Sequence, residues 1–292
     1  MKSLKTSDGI FEFTAMPFGL CNAPATFQRL VDTVLGRLKW TIALAYLDDI
    51  ICYSPDFESH LEHLALIFES ISRARLKLKP SKCAFADNKL KYLGHIISEK
   101  GIEADPAKSR AISLFPTPKK VKDVQSFTSL CSYYKRFVRN FSQIAKPLTK
   151  LTESNTKFHW GPEQEKSFLA LKSALTSPPC LSYPDDKLPV RVRTDASLDG
   201  LGAVVQQLEP DGEWHPIAYA SRGLRRYERN YSVTELECLA VVFAVERFRP
   251  YLYGKPFVVV TDHCSLCDLL NLKNPHGRLA KWSLRLQPYE LL

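Results

Sequence analysis

No stretch of this sequence runs for the roughly 18 to 20 uncharged residues that a bilayer-spanning helix needs, so no membrane span is expected. The opening residues Met1-Lys2-Ser3-Leu4-Lys5-Thr6 lack the apolar core of a secretory leader. There is no internal repeat and no low-complexity tract. Hydrophobic residues at 45% and charged residues at 24% sit near globular averages, which excludes a disordered or fibrous chain. A dense cysteine framework is also missing: the eight cysteines are scattered singly, which suits free thiols in a reducing compartment, and disulfides are not expected. At about 100 to 200 residues per domain, a chain of 292 residues holds two compact units, or three.

Acidic residues are scarce in one region only. Residues 1 to 70 carry 5 Lys and Arg against 9 Asp and Glu, net −4, whereas residues 71 to 140 carry 16 against 5, net +11. The remainder carries 19 against 17, so the middle segment supplies the whole +9 excess. Its bases are interleaved with aromatics in Tyr133-Tyr134-Lys135-Arg136-Phe137, a pattern suited to phosphate neutralisation beside stacking or sugar contact. A solvated lysine face is the alternative.

Prolines punctuate the chain at Pro55, Pro80, Pro106, Pro116, Pro118, Pro178 and Pro179, each interrupting a periodic stretch. From Ser54 the apolar positions Leu61, Leu64, Phe68 and Ile71 recur at helical spacing, with Ser54 placed to cap and Pro55 at the first helical position. A second helix starts at Ser232-Val233-Thr234-Glu235, a capping box, and runs towards Phe248. Residues 188–194 alternate apolar and polar, and residues 257–261 form a β-branched run, so both read as strands. Helices and strands mix throughout, which makes the class α/β or α+β.

Two adjacent acids, Asp48 and Asp49, sit at the centre of an apolar, strand-like run from Ala43 to Tyr53. Carboxylates confined between buried strands repel one another and lose hydration, so a divalent cation would relieve them. Hard oxygen ligands favour Mg²⁺ or Mn²⁺ over zinc. The sequence alone leaves the other reading open, an Asp-Asp hairpin turn in solvent.

Tyr46-Leu47-Asp48-Asp49 does not stand alone. Residues 11–28, containing Met16-Pro17-Phe18-Gly19, resemble the nucleotide-pocket segment of gypsy-type retrotransposon reverse transcriptases. Tyr92-Leu93-Gly94-His95 resembles their primer-grip hairpin, and Ser132-Tyr133-Tyr134-Lys135-Arg136-Phe137 followed by Asn140-Phe141-Ser142 resembles their thumb. The resemblance implies that Asp48 and Asp49 bind a pair of Mg²⁺ ions activating a primer 3′-hydroxyl against the α-phosphate of a deoxynucleoside triphosphate. It further implies a nucleotide pocket from Pro17, Phe18, Gly19 and Tyr46. Primer and template would be held by Tyr92, Leu93, Gly94, Tyr133, Tyr134, Lys135 and Arg136. The family's third metal-binding aspartate comes from a strand well upstream of Met16, and neither Asp8 nor Glu12 matches it. Little or no polymerase activity is therefore expected of this polypeptide alone.

The C-terminal third carries Thr194-Asp195-Ala196-Ser197, Glu235 and Glu237, and Thr261-Asp262-His263 at the ends of separate elements. This arrangement resembles a ribonuclease H domain, with the segment 200–205 as its next strand and 251–254 closing the helix. The resemblance implies that Asp195, Glu237 and Asp262 bind two Mg²⁺ ions that direct water at the RNA strand of an RNA·DNA hybrid. Glu235 lies three residues after Ser232, where a capping carboxylate belongs, so Glu237 is assigned to the metal and Glu235 to the cap. The family's fourth acid lies beyond the segment 278–282, and Glu290 does not match it, so slow or absent hydrolysis is expected.

His263, Cys264 and Cys267 suggest zinc but lack a second pair at finger spacing, so packing is the expected role. His60, His63 and His95 have no clustered partners, and Trp160 reads as a docking residue. The expected organisation is a partial α+β palm over 1–98, a basic helical thumb and linker over 99–187, and an α/β ribonuclease H-like unit with a mixed sheet over 188–292. RNA/DNA template-primer and deoxynucleoside triphosphates are the implied partners, with two Mg²⁺ (or Mn²⁺) ions per site and an intracellular location in a cytoplasmic particle or the nucleus. The alternative is a non-catalytic nucleic-acid-binding relic or host-retained protein. The sequence does not specify the oligomeric state.

Overall fold

The computed structural model describes residues 3–13, 16, 19–154, 156–261 and 277–292. It divides into two compact units, Met1–Asp87 and Asn88–Leu292. Among the described residues no helix is long and apolar enough to cross a membrane. Cys21, Cys52, Cys83, Cys131, Cys180 and Cys238 are free thiols.

In the first unit, β1 (Ser3–Thr6) and β2 (Gly9–Glu12) form an antiparallel hairpin. Helix α1 (Ala23–Leu35) follows, with Pro24 in its first turn, where a missing amide donor costs nothing. It buries Val31 and Leu35, one helical turn apart, and stops at Gly36, whose φ of 48° suits a residue without Cβ. Strands β3 (Ala43–Tyr46) and β4 (Asp49–Cys52) pair antiparallel, and α2 (Phe57–Arg73) covers them. The α2 cap differs from the sequence expectation. Asp56, not Ser54, caps the helix by accepting the Ser59 amide at 2.8 Å, because a carboxylate at that position reaches the third helical amide and adds favourable charge at the dipole. The buried stripe is also rotated: Ile67 and Ile71 face the core, while Leu61 and Phe68 are exposed. The core of this unit is small, comprising Val31, Leu35, Ile42, Ala43, Ile67 and Ile71.

The second unit opens with a three-stranded antiparallel sheet, β5 (Lys89–Tyr92), β6 (His95–Ser98) and β7 (Gly101–Ala104). The 89–98 hairpin thus groups with the segment that follows it. Asp105 caps α3 (Pro106–Ser113) by accepting the Ala107 amide at 3.0 Å. Helices α4 (Val121–Tyr133), α5 (Phe141–Lys150) and α6 (Pro162–Thr176) then gather around Phe127, Phe137, Leu148, Phe168 and Leu171, all buried.

Next comes a four-stranded mixed sheet. Its strands are β8 (Val190–Ser197), β9 (Gly200–Leu208), β10 (Trp214–Gly223) and β11 (Val258–Val260), in the order β10-β9-β8-β11. Only the β8–β11 pair is parallel, connected through α7 (Val233–Arg247) and the short α8 (Arg249–Leu252). The expected Ser232 capping box is present, since Ser232 Oγ accepts the Glu235 amide at 3.2 Å and Glu235 Oε2 accepts the Ser232 amide at 2.9 Å. Helix α7 is apolar on nearly every side, as a helix enclosed between a sheet and other elements must be. A last helix, α9 (Gly277–Leu286), contributes Trp282 and Leu286 to the same core.

Candidate active sites

The β3–β4 hairpin closes on the pair Tyr46 and Asp49, which leaves Leu47 and Asp48 as a two-residue turn. Leu47 adopts a φ of 51°, as tight hairpin turns require. The structure corrects one premise here. Of β3 only Ala43 is buried, β4 is half-buried, and Asp48, Asp49 and Tyr46 are exposed. Water therefore screens the two carboxylates, and the desolvation inferred from the apolar flanks does not arise, because the hairpin projects its tip out of the small core.

What fixes the tip is Gln28 of α1. Its Oε1 accepts the Leu47 amide at 2.6 Å, and its Nε2 donates to Asp32 Oδ1 at 2.7 Å and to the Ala45 carbonyl at 3.3 Å. Asp32 in turn pairs with Lys39 at 2.6 Å, and that bond, together with Gln28, holds the Asp32 carboxyl below its ordinary range. This brace was not assigned from sequence; its only local trace is the i,i+4 spacing of Gln28 and Asp32 on one helix face. Gly19 has a φ of 83°, and a Cβ there would meet none of the described residues within 4 Å. Pro17 and Phe18 lie outside the described residues.

The hairpin at 89–98 turns on Leu93 and Gly94, with φ of 45° and 72°. Tyr133 donates its hydroxyl to the Leu93 carbonyl, and Tyr134 donates to the Gly94 carbonyl at 2.6 Å. A side chain at Gly94 would press on both tyrosines, at 3.3 Å. His95 packs among Tyr133, Tyr134 and Phe137, and burial pushes its imidazole down towards the neutral form. The four residues assigned to nucleic acid from the thumb segment therefore separate. Tyr134 is 1% exposed, and burial pushes its hydroxyl up to about 12, so its ring is a strut for the hairpin rather than a stacking surface. Tyr133 and Lys135 face solvent, and the half-exposed Arg136 guanidinium lies 5.9 Å from the Phe137 ring centre.

In the mixed sheet, Asp195 lies near the C-terminal end of β8, half-buried, opposite Gly202 of β9. Its Oδ2 accepts a hydrogen bond from Asn140 Nδ2 at 2.8 Å. Glu237 lies on α7, which packs against β8 and β9, and is 9% exposed. Beside it, the Cys238 thiol is pushed up to about 11 by burial first and then by the Glu237 and Glu235 charges. Glu235 has other work: besides the cap it pairs with Arg278 at 2.8 Å, and the Ser232 amide leads in holding its carboxyl low. Asp262 lies outside the described residues, as do His263, Cys264 and Cys267. Among the described residues no three His, Cys, Asp or Glu side chains gather closely enough to hold a metal ion. Asp195 and Glu237 each carry a carboxyl, the hard-oxygen donor type that a divalent ion takes, and Glu237 is the buried one.

Residues 1–97 match the family model described as reverse transcriptase (RNA-dependent DNA polymerase), and residues 185–289 match that of the RNase H-like domain found in reverse transcriptase. The chain is 40% identical over 289 residues to the retrovirus-related Pol polyprotein from transposon 297 of Drosophila melanogaster, covering 99% of this chain and 27% of that protein. It is 38% identical to the corresponding polyprotein of transposon 412 of the same organism, covering 98% and 23%. To the transposon Tf2-3 polyprotein of Schizosaccharomyces pombe it is 32% identical, covering 96% and 21%. The chain thus spans about a quarter of the length of these curated relatives. In fold it is similar to the foamy viral protease-reverse transcriptase solved with dsDNA, at a TM-score of 0.83 and 24% identity, covering 99% of this chain and 61% of that one. The same viral protein solved with an RNA/DNA hybrid gives 0.80 and 24%, covering 99% and 40%.

Proposed function

Since this chain belongs to the reverse transcriptase and RNase H family of LTR-retrotransposon Pol polyproteins, we propose that it carries out metal-dependent phosphodiester chemistry on RNA/DNA. Its C-terminal site hydrolyses the RNA strand of an RNA·DNA hybrid, and its N-terminal hairpin serves RNA-directed DNA synthesis. The observation that carries this reading is Glu237: core packing alone does not place a carboxyl at 9% exposure on the helix that packs against the strand of Asp195.

Asp195 and Glu237 hold the divalent ions, Mg²⁺ or Mn²⁺, with Asp262 as the third ligand. Bound there, the ions supply Lewis acidity to a phosphodiester and activate water. The protein's own part is orientation. Helix α7, which carries Glu237, is locked at its start by its capping box and by the Glu235–Arg278 pair. At the first site Asp48 and Asp49 are the metal ligands and Gln28 sets the hairpin that presents them. Pro17, Phe18, Gly19 and Tyr46 form the nucleotide pocket for a deoxynucleoside triphosphate. The template-primer is contacted by Tyr92, Leu93, Gly94, Tyr133, Lys135 and Arg136, while Tyr134 holds the Leu93–Gly94 turn in place. The proposed organisation remains palm over 1–98, thumb and linker over 99–187, and ribonuclease H-like unit over 188–292.

The test is cleavage of a hybrid labelled on its RNA strand, in Mg²⁺ and in Mn²⁺. Slow cleavage by the parent, abolished in both Asp195→Asn and Glu237→Gln, is the expected result; a Glu237→Gln chain that cuts at the parental rate would refute the assignment. The second reading, a non-catalytic nucleic-acid-binding protein, draws on the +11 charge of residues 71 to 140. Salt-sensitive hybrid binding without turnover in either metal would favour it.

A further inference from the structure

Asn140 lies outside the β8–α7 pair, yet its side chain reaches Asp195. It precedes α5 with a φ of 52°, the left-handed conformation that Asn tolerates better than most residues. As first residue of that helix cap it makes no side-chain capping bond; its amide goes instead to Asp195 Oδ2, at 2.8 Å. The opposing strand is shaped to admit it: a Cβ at Gly202 would stand 2.0 Å from Asn140 Oδ1, so only glycine leaves the space. The start of α5 is fixed there independently of Asn140. The Ser142 amide donates to Ser221 Oγ at 2.9 Å, Gln143 Nε2 donates to Ser197 Oγ at 3.1 Å, and Lys146 pairs with Asp199.

We propose that Asn140 is a positioning residue for the ribonuclease H-type site, holding one oxygen of Asp195 so that the other is presented to a divalent cation. The proposal rests on the reading of Asp195 as a metal ligand. Its physical basis is that a ligating carboxylate with a fixed hydrogen bond loses less freedom on binding and keeps its orientation. Removing such an outer partner costs about 10- to 100-fold in metal affinity or activity. A donor amide also tempers the charge of Asp195, which an acceptor in the same place could not do.

The experiment titrates Mn²⁺ against the full chain, reading free Mn²⁺ by its electron paramagnetic resonance signal. An Asp48→Asn, Asp49→Asn background restricts the reading to the second site. Three further variants are compared. Asn140→Gly keeps the positive-φ backbone and removes the amide. Asn140→Asp keeps size, backbone preference and capping ability but cannot donate. Asp195→Asn removes the ligand. The expected result is a Mn²⁺ midpoint raised about 10- to 100-fold in Asn140→Gly, raised further in Asn140→Asp, and binding lost in Asp195→Asn. If Asn140 were only a helix cap, Asn140→Asp would bind Mn²⁺ as the parent does. That result, with binding lost in Asp195→Asn, overturns the positioning role and leaves the ligand assignment standing. Undiminished binding in Asp195→Asn overturns both. A thermal transition measured without metal shows that each variant is folded, and Asn140→Asp supplies the answer if Asn140→Gly is not.

Discussion

In the β3–β4 hairpin two neighbouring aspartates stand in solvent on a turn braced from behind by one glutamine, whereas in the mixed-sheet region one carboxyl is buried on helix α7 and the other, on β8, is held by an asparagine from a different element. Water screens the first pair, so the hairpin needs a rigid tip and little else. In the second pair Glu237 is buried and Asp195 half-buried, so donors and, in the proposed function, cations must compensate it. Their surroundings differ in the same sense. The first unit has a small core and leaves Phe57 and Leu61 exposed, while the second encloses Phe127, Phe168 and nearly the whole of α7. The contrast teaches that a pair of acids can rest on a surface turn or on a packed sheet and helix, with different demands on the scaffold.

The largest effect that sharpens this contrast is expected in the second core. Phe127→Ala should cost about 3 to 5 kcal/mol in urea-induced unfolding, because the ring is fully buried. Phe57→Ala, on the exposed face of α2, should stay within about 0.5 kcal/mol. Equal losses at the two positions would erase the difference between the cores. A smaller effect is expected at the hairpin tip. Gln28→Ala leaves the Leu47 amide without its acceptor and should cost about 1 to 2 kcal/mol with faster Leu47 amide exchange, whereas Asp48→Asn should leave both unchanged. Unaltered exchange in Gln28→Ala would mean that the tip holds itself.

The smallest expected effect is in the pH profile. Glu228 is buried in the short turn that follows β10, where Arg222 grips it with both terminal guanidinium nitrogens at 2.6 and 2.9 Å and the Arg225 amide donates at 2.7 Å. Burial pushes the carboxyl up, but these bonds and the arginine charges outweigh it and hold the folded value below the ordinary 4.5. The unfolded chain therefore takes up the proton first as pH falls. The stability that Glu228 contributes is complete above about pH 4.5 and is lost as pH drops through the lower folded value. Thermal unfolding between pH 5 and 3 should show that loss in the parent and a flatter limb in Glu228→Gln; parallel curves would exclude it.

Much of this was legible in the chain. Period-2 alternation marked β8, the β-branched run marked β11, and Ser232 with Glu235 marked the start of α7, because each signal is local and set by backbone geometry. The assignment of Glu235 to the cap followed from spacing alone. Other features were not legible. Leu61 and Phe68 share the apolar period of α2 yet face solvent, since a period gives the width of a stripe and not the direction in which the core lies. Tyr134 reads as a nucleic-acid contact among basic neighbours, but it points inward to the Gly94 carbonyl. Gln28 left no more than its i,i+4 spacing to Asp32, and Asn140 left no sequence signal for its role, because their decisive partners lie 19 and 55 residues away.

The sequence by itself determined which residue types sit at which strand ends and helix starts, and thereby the family, because caps, turns and acid motifs act over a few bonds. Only the tertiary structure decided which acids are wet and which are enclosed, and which side chain steadies each of them. Burial and long-range hydrogen bonds are properties of the packed elements, and no short window of the chain contains both partners.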